Sequence, residues 1–495
     1  MGMASPRLPR PRREIKRKGM QGKKQTKIVA TIGPASESKA MLRALVNAGM
    51  NVVRLNFSHG EHAWHQEVIN RVRELSLELK TPIAILADLQ GPRIRTEIAA
   101  PLELEQGAKV TVSDISHKES LEGENIVFLD IPGIIDHVEV GHALLIEDGT
   151  LELTVTAKEE KSLTAETKSP GTIKTRKGVI LPDSEITLPI ISEKDKRDLE
   201  FILGEGVEYI ALSFVGSAED IATVRAQMKA YASDEARLPK IVSKIERKEA
   251  IRNLQSIIAA TDAVMVARGD LGIEMPESEI ALLQKKIIRE SLKAAKPVIV
   301  ATQMMKSMTE NPRPTRAEVS DVSNAVIDHT DAVMLSEESA MGRYPVETVA
   351  MMSEIIQKTE ESPFDDLYHA LDLNFKNEYS TMIRSVYQLA QSFRTKAILI
   401  LSISGFTARL LSHFRPESRL LVATNDRRVW NELALVWGID PYLFEGDERY
   451  DTHTTLLMEE AKKDGKISAG DRVAVFLGRT PEHGTMQLVG IKEVR

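Results

Sequence analysis

The chain has 495 residues, no cysteine and a formal net charge of −7 at neutral pH. This length exceeds one ordinary hydrophobic core, so two to four domains are expected. The lack of cysteine excludes disulfides, thiolate metal sites and cysteine nucleophiles, and it fits a reducing cytoplasm. The charge gives no reason to expect nucleic acid as the main partner, and no apolar run is long enough to predict a membrane span.

Residues 1–24 form a basic, proline-containing segment with one acidic residue, Glu14. This composition predicts a solvated, disordered arm. The arm lacks the apolar segment of a secretory signal, and its prolines disfavour the amphipathic helix of a transit peptide. Binding of RNA or of a membrane surface by this arm is the alternative.

From residue 26 onward, apolar runs typical of buried parallel strands alternate with amphipathic helical patterns. Strands are predicted at residues 27–33, 51–57, 82–88, 209–214, 240–246, 263–269, 297–303 and 332–338. Helices are predicted at residues 38–48, 63–79, 192–203, 218–228, 249–260, 279–295, 316–327 and 346–359. Eight such pairs predict an α/β fold, a (β/α)8 TIM barrel over residues 25–95 and 189–362, with an open doubly wound sheet as the rival.

An insert over residues 96–188 separates the third strand from the next helix. Its pattern predicts short strands at residues 108–113, 143–147, 151–157 and 162–167. Asp148-Gly149 predicts a hairpin with a type I′ turn. An all-β insert at this position overhangs the end of the barrel that carries active sites, so we expect it to act as a lid.

Residues 363–495 are predicted to form a separate, open α/β domain. Strands are predicted at residues 397–401, 420–423, 441–444 and 472–476, and helices at residues 380–393, 407–414, 428–437 and 454–463. The loop after the first of these strands is a candidate phosphate site, with an ordinary capped helix as the alternative. Its candidate residues are Ser402, Ser404, Gly405 and Thr407.

Polar residues gather at the predicted C-terminal ends of the barrel strands, where barrel enzymes place their chemistry. Lys244 and Glu246 project from one strand face because residues two apart point the same way. A cation beside the carboxylates of Glu246 and Asp270 suits Mg2+ and phosphoryl chemistry. Gly269 allows a ligand to approach the backbone closely.

Each of these residues also has a purely structural interpretation. Arg54 and Asp88 can form a buried ion pair, and so can Lys244 and Glu246. Thr302 is compatible with an ordinary core hydroxyl. Helix capping is the alternative for Asn56, Ser58 and Asp270. The functional interpretation is favoured because most strands place a polar group at the same end.

Together these stretches resemble the pyruvate kinase family. The matching segments, in order, are residues 50–60, 88–92, 94–95, 177–182, 244–246, 265–272, 301–304 and 334–336. The likeness extends from residue 27 to the C-terminus and is weakest in the insert. It implies the last step of glycolysis, in which the phosphoryl group of phosphoenolpyruvate is transferred to ADP to give ATP and pyruvate. The alternatives are a metal-dependent barrel aldolase of the phosphoenolpyruvate and pyruvate class, and a non-catalytic sensor of phosphorylated metabolites.

The resemblance also implies a role for each strand-end residue. Glu246 and Asp270 would hold a divalent metal, Mg2+ or Mn2+, and Lys244 would steady the charge on the transferring phosphoryl group. The substrate would be held by Arg54 on its phosphate, by the backbone N–H groups of Gly269 and Asp270 on its carboxylate, and by Thr302 near the carbon that gains a proton. The nucleotide side would be formed by His59, Arg95 and Lys177.

A monovalent cation site is implied at Asn56, Ser58, Asp88 and the carbonyl of Leu89. Members that require K+ have glutamate where Arg93 stands and threonine-lysine where Leu89-Gln90 stands. We therefore expect the Arg93 cation to replace K+, so that K+ is not obligatory.

Three further expectations follow from the resemblance. The loop over residues 402–407 resembles an allosteric site for a sugar phosphate or nucleotide effector. The family implies a homotetramer, whereas the expectation of no nucleic-acid or membrane partner comes from the net charge and the lack of a long apolar run. The segment at residues 334–343 departs from the common pattern, which has glycine at Glu337, threonine at Ser339 and lysine at Met341.

Overall fold

The structure is a computed structural model that describes residues 24–121, 123, 125–147, 149–184, 188–232, 234–365, 378–444, 450–477 and 488–495. The predicted basic arm lies outside these residues except for Lys24, which donates from Nζ to Asn51 Oδ1 at 2.6 Å. Within the described ranges, no helix is both long enough and apolar enough to cross a membrane.

Eight parallel strands close into a barrel in the order β1-β2-β3-β13-β14-β15-β16-β17, and β17 pairs with β1. Almost every residue in them is buried, which explains the continuous apolar runs in the sequence. The closed order confirms the predicted barrel and excludes the open sheet. These strands are β1 Lys27–Thr31, β2 Val52–Asn56, β3 Ala84–Asp88, β13 Tyr209–Leu212, β14 Lys240–Ile245, β15 Ala263–Ala267, β16 Val298–Ala301 and β17 Ala332–Leu335.

Eleven helices accompany the described barrel strands. The single helix predicted at residues 249–260 is wrong, because Asn253 ends one helix and begins another while its side chain donates to Gly216 O at 2.8 Å. The short helices α7 and α10 were not predicted. The helices are α1 Lys39–Ala48, α2 His62–Leu79, α3 Glu193–Glu205, α4 Ala218–Tyr231, α5 Lys248–Arg252, α6 Leu254–Ala260, α7 Arg268–Glu274, α8 Glu277–Lys293, α9 Arg316–Ile327, α10 Glu337–Ala340 and α11 Pro345–Glu360.

Local sequence fixes where several of these helices begin. Ser192, Ser217 and Thr315 each accept a hydrogen bond from the backbone of the third helical residue, whose acidic side chain accepts one in return. Such reciprocal capping satisfies N–H groups that the helix itself leaves unpaired.

The insert after β3 is an all-β unit, as predicted. Seven of its strands close into a small barrel in the order β10-β6-β7-β4-β12-β8-β9, and β11 pairs with β5. The β8–β9 hairpin is confirmed: Ile146 pairs with Leu151, and Thr150 N donates to Glu147 O at 3.2 Å across the turn. The predicted turn type depends on Asp148, which lies outside the described residues. The strands are β4 Ile94–Glu97, β5 Leu102–Leu104, β6 Lys109–Asp114, β7 Ile126–Leu129, β8 Ala143–Ile146, β9 Leu151–Lys158, β10 Leu163–Thr167, β11 Gly171–Ile173 and β12 Gly178–Ile180.

The C-terminal unit is an open five-stranded sheet in the order β20-β19-β18-β21-β22, with β22 antiparallel and not predicted. The helix predicted at residues 428–437 is wrong, because α14 ends at Glu432 and a 3-10 turn, Leu433–Leu435, follows. The elements are α12 Glu378–Phe393, β18 Ala397–Leu401, α13 Phe406–Ser412, β19 Arg419–Thr424, α14 Arg427–Glu432, β20 Ile439–Leu443, α15 Tyr450–Lys463, β21 Arg472–Leu477 and β22 Leu488–Glu493.

That 3-10 turn plugs the N-terminal end of the barrel. Ala434 and Leu435 belong to the same buried cluster as inward-facing barrel residues such as Val29 and Val52. Tyr209, the first residue of β13, donates from its hydroxyl to Glu432 O at 2.7 Å. The C-terminal unit therefore closes the barrel at the end opposite the predicted active site.

Candidate active site

Four charged side chains meet at the C-terminal ends of β2, β3 and β14. Arg54 Nε donates to Asp88 Oδ2 at 2.7 Å, and Lys244 Nζ lies 3.5 Å from Asp88 Oδ1. Lys244 Nζ also lies 2.8 Å from Glu246 Oε1. The ion pairs that the structural interpretation predicts are thus present. These pairs also bring the predicted catalytic residues Arg54 and Lys244 together.

Burial makes these charges interact strongly. The side chains of Asp88 and Glu246 are 2 % and 1 % exposed, and those of Arg54 and Lys244 are 12 % exposed. Burial alone would lower the pKa of Lys244, but Asp88, Glu246 and Asp270 raise it above its ordinary value. Lys244 therefore stays protonated at neutral pH, so it acts as a fixed cation and not as a base.

The two carboxyl groups respond differently to the same surroundings. Burial would raise the pKa of Asp88, but Lys244 and Arg54 outweigh it and hold the pKa below the usual range. Burial raises the pKa of Glu246 to about 7, with Lys244 opposing the shift and Asp270 adding to it. Asp88 is therefore the permanent anion of the cluster.

Two neighbouring residues complete the cluster and were missed in the sequence. Ser213 Oγ accepts a hydrogen bond from Lys244 Nζ at 2.7 Å and donates one to Leu89 O at 2.9 Å. Phe214 N donates to Glu246 Oε2 at 2.7 Å. Ser213 directly follows β13, so the rule that found the other strand-end residues also applies to it.

Glu246 and Asp270 fit the donor set of a divalent cation. Glu246 Oε1 is buried and makes no hydrogen bond within the described residues, although Lys244 lies nearby. The described residues contain no group of three or more His, Asp or Glu side chains that would hold a metal by themselves. A two-carboxylate site of this kind suits Mg2+, which completes its octahedron with substrate oxygens and water.

Thr302 and Gly269 meet at the same mouth. Gly269 N donates to Thr302 Oγ1 at 2.8 Å, and Thr302 Oγ1 donates to Ala301 O at 2.6 Å. Thr302 has a φ of 70°, which is an outlier for a β-branched residue and marks a held conformation. Because α7 begins at Arg268, Asp270 lies in its first turn, and the helix-cap alternative for Asp270 is wrong.

The predicted monovalent-cation ligands already have partners inside the protein. Asp88 faces Arg54 and Lys244, and Leu89 O accepts from Ser213. Asn56 Oδ1 accepts from Ser58 N at 3.1 Å. A bound K+ ion would therefore share these oxygens with the partners they already have.

Of the nucleotide-side candidates, His59 lies in the barrel loop after β2, and Arg95 and Lys177 lie in the lid. His59 is exposed, and its carbonyl is 3.0 Å from His65 Nε2. Arg95 on β4 is paired in register with Gly178 on β12, next to Lys177, whose ammonium forms an ion pair with Glu147. A methyl group built on Gly178 would lie 2.6 Å from Arg93 Nε. The Arg93 side chain therefore packs on the lid strand that follows Lys177.

The remaining candidates lie in the C-terminal unit and after β17. In the C-terminal unit, Gly405 has a φ of 69° and is the N-cap of α13, and it makes no side-chain capping hydrogen bond. The side chains of Ser402 and Thr407 are buried, and Ser404 O accepts from Arg409 at 3.3 Å. Near β17, Ser339 Oγ donates to Thr31 O at 2.8 Å, whereas nothing in the structure explains Glu337 or the exposed Met341.

Comparisons with known proteins agree along nearly the whole chain. Residues 23–349 match the family model described as the pyruvate kinase barrel domain, and residues 380–491 match the pyruvate kinase alpha/beta domain. Pyruvate kinase of Staphylococcus saprophyticus is 39 % identical over 475 residues, covering 94 % of this chain and 80 % of that protein.

Two further relatives extend this similarity. Pyruvate kinase of Geobacillus stearothermophilus is 40 % identical over 470 residues, covering 92 % of this chain and 78 % of the relative. The crystal structure of a pyruvate kinase from Cryptosporidium parvum superposes with a TM-score of 0.88 at 32 % identity, covering 95 % of this chain and 96 % of that one.

Proposed function

The chain belongs to the pyruvate kinase family and is a phosphotransferase of glycolysis, and we propose that its barrel mouth transfers the phosphoryl group of phosphoenolpyruvate to ADP. The observation that carries this assignment is that Lys244 lies as a buried cation between Asp88 and Glu246. Phosphoryl transfer needs alignment and charge neutralisation more than covalent help, and this cluster is built for both. The aldolase alternative is not favoured, because both matching family models and the relatives named above are pyruvate kinases.

Lys244 stabilises the charge that develops as the phosphoryl group leaves, and Arg54 on β2 holds the phosphate. A divalent metal held by Glu246 and Asp270 would supply further positive charge to the phosphate and to the enolate oxygen. The backbone N–H groups of Gly269 and Asp270 orient the substrate carboxylate. Thr302 orients the carbon that is protonated. The substrate carboxylate would displace Thr302 from Gly269 N.

The nucleotide binds between barrel and lid, at His59, Arg95 and Lys177, with residues 96–188 excluding water from the transfer. The assay measures pyruvate formed from phosphoenolpyruvate with and without ADP, and with and without Mg2+ or Mn2+. Dependence on both ADP and metal supports the proposal. Pyruvate formation without ADP would overturn it. Binding of Mn2+ is measured separately by electron paramagnetic resonance, and Glu246→Gln or Asp270→Asn should weaken it.

We further propose that K+ is not required. Arg54 and Lys244 already neutralise Asp88, and Ser213 Oγ donates a hydrogen bond to the Leu89 carbonyl. Turnover in buffer free of K+ and Na+ should match turnover with K+ added. Activity that appears only on adding K+ would contradict this.

The regulatory and cellular expectations also remain proposals. Residues 363–495 would bind a sugar phosphate or nucleotide effector at Ser402, Ser404, Gly405 and Thr407 and support a homotetramer in the cytoplasm. A shift of the phosphoenolpyruvate saturation curve on adding such compounds, lost in Thr407→Ala, tests the effector site. Light scattering in solution measures the subunit number.

A further inference from the structure

The two metal-binding carboxylates stand on segments that the barrel ladder does not reach. Strands β14 and β15 pair as far as Ile245 with Val266. Glu246 follows the last residue of β14, whereas Asp270 lies in the first turn of α7, beyond the end of β15. Strand pairing alone therefore does not fix Asp270 relative to Glu246.

A hydrogen bond accepted at the C-terminal end of α7 connects this helix to the segment that follows Glu246. Glu274 lies one helical turn after Asp270, and its Oε2 accepts from Lys248 N at 2.7 Å. Lys248 is the first residue of α5 and stands two residues after Glu246. The Arg247 guanidinium adds a longer contact, with Nε 3.8 Å from Glu274 Oε1.

The chemistry of this contact favours a rigid link. Arg247 is the N-cap of α5 and makes no capping hydrogen bond with its own side chain. Glu274 supplies the missing acceptor from the neighbouring helix, and its negative charge complements the positive end of the α5 dipole. Its side chain is 20 % exposed, so solvent competes only in part for this bond.

We infer that Glu274 is a positioning residue for the divalent metal, which clamps α7 to α5 and so sets the spacing of Asp270 and Glu246. It does not touch the metal or the substrate. The inference rests on the proposed metal site at those two carboxylates. Partners that hydrogen-bond directly to metal ligands typically contribute about 10- to 100-fold to metal affinity. Glu274 acts through the backbone segments that carry the ligands, so we expect an effect near the lower end of that range.

The test measures Mn2+ binding to the full chain by electron paramagnetic resonance, with the melting temperature as a check of folding. Glu274→Ala should weaken Mn2+ binding about 10-fold, whereas Glu274→Gln, which keeps an acceptor oxygen, should weaken it by less than about threefold. Glu249→Ala is the matched control, because Glu249 pairs with Arg247 at 3.7 Å without reaching α7.

A second variant removes the donor instead of the acceptor. Lys248→Pro deletes the N–H at the first helical position, where proline is compatible with the helix. The Arg247 backbone, with φ −119° and ψ 150°, suits a residue before proline. Lys248→Pro should therefore weaken Mn2+ binding as much as Glu274→Ala, and the double variant should be no weaker than either.

The outcomes separate this inference from the proposed function. Wild-type affinity for Mn2+ in Glu274→Ala and Lys248→Pro would overturn the inference and leave the metal site intact. Equal weakening by Glu249→Ala would also overturn it. Failure of the wild-type chain to bind Mn2+ would overturn both. At saturating metal, kcat in Glu274→Ala should return to near the wild-type value.

Discussion

Replacing Ser213 by alanine removes one hydroxyl that serves both Lys244 and Leu89. The hydroxyl is buried, accepts from Lys244 Nζ at 2.7 Å and donates to Leu89 O at 2.9 Å. Without it, the ammonium keeps its contacts with Glu246 at 2.8 Å and Asp88 at 3.5 Å. Lys244 thus stays in the site but loses a neutral hydrogen-bond partner.

The expected size follows from the kind of bond that is lost. A hydrogen bond to a charged group contributes about 1.5–3 kcal/mol. If the transition state depends on that bond in full, kcat falls by about 10- to 150-fold, since each 1.36 kcal/mol is tenfold in rate. KM for phosphoenolpyruvate should change less, because Arg54 and the metal ligands are untouched.

Ser243→Ala is the matched control. Ser243 is paired with Leu212 in the adjacent strand and is fully buried, but its hydroxyl donates to Thr261 Oγ1 at 2.9 Å, away from Lys244. Both variants should lose stability to denaturant, and only Ser213→Ala should lose turnover in the coupled pyruvate assay. A kcat within twofold of wild type in Ser213→Ala would refute the reasoning.

Two further predictions concern the other end of the barrel. Leu435→Ala should lower the free energy of unfolding by about 2–5 kcal/mol, because it empties a fully buried position of the plug; a loss below about 1 kcal/mol in urea titration would argue against the plug. His413 is fully buried, and burial lowers its pKa below 6.5 in the folded chain although Asp331 opposes the shift. The unfolded chain then binds more protons below pH 6.5, so stability should fall as the pH drops through that window; this slope should be smaller in His413→Gln, and an unchanged slope would count against the assignment.

The barrel was predictable because each of its strands is a short, continuous apolar run with a helix after it. The strand-end rule also found Arg54, Asp88, Lys244 and Glu246, which the structure brings into one cluster. The same rule does not single out Ser213, because the run 209–214 predicts a strand to its end, whereas the strand ends at Leu212. The one hydroxyl near the end of that apolar run would have been a usable signal.

Other features depended on contacts that are distant in sequence. The lid barrel closes through pairs such as Arg95 with Gly178, and several of its strands have only three or four residues, too few to show a period of two. The left-handed φ of Thr302 follows from its surroundings, since its residue type opposes it. The apolar residues of the 3-10 plug continue the helical pattern in the sequence, so they predict a longer helix. In the structure these residues pack against the barrel and not against the sheet of their own domain.

The most direct test of this account is the turnover of Lys244→Met, with Lys240→Met at the start of the same strand as the control. Removing one preorganised group that stabilises transition-state charge lowers kcat by about 100- to 1000-fold. We predict a loss of that size in Lys244→Met, with phosphoenolpyruvate binding within about threefold of wild type and near-normal turnover in Lys240→Met. Normal turnover in a folded Lys244→Met enzyme would contradict the assignment of Lys244 as the cation of phosphoryl transfer.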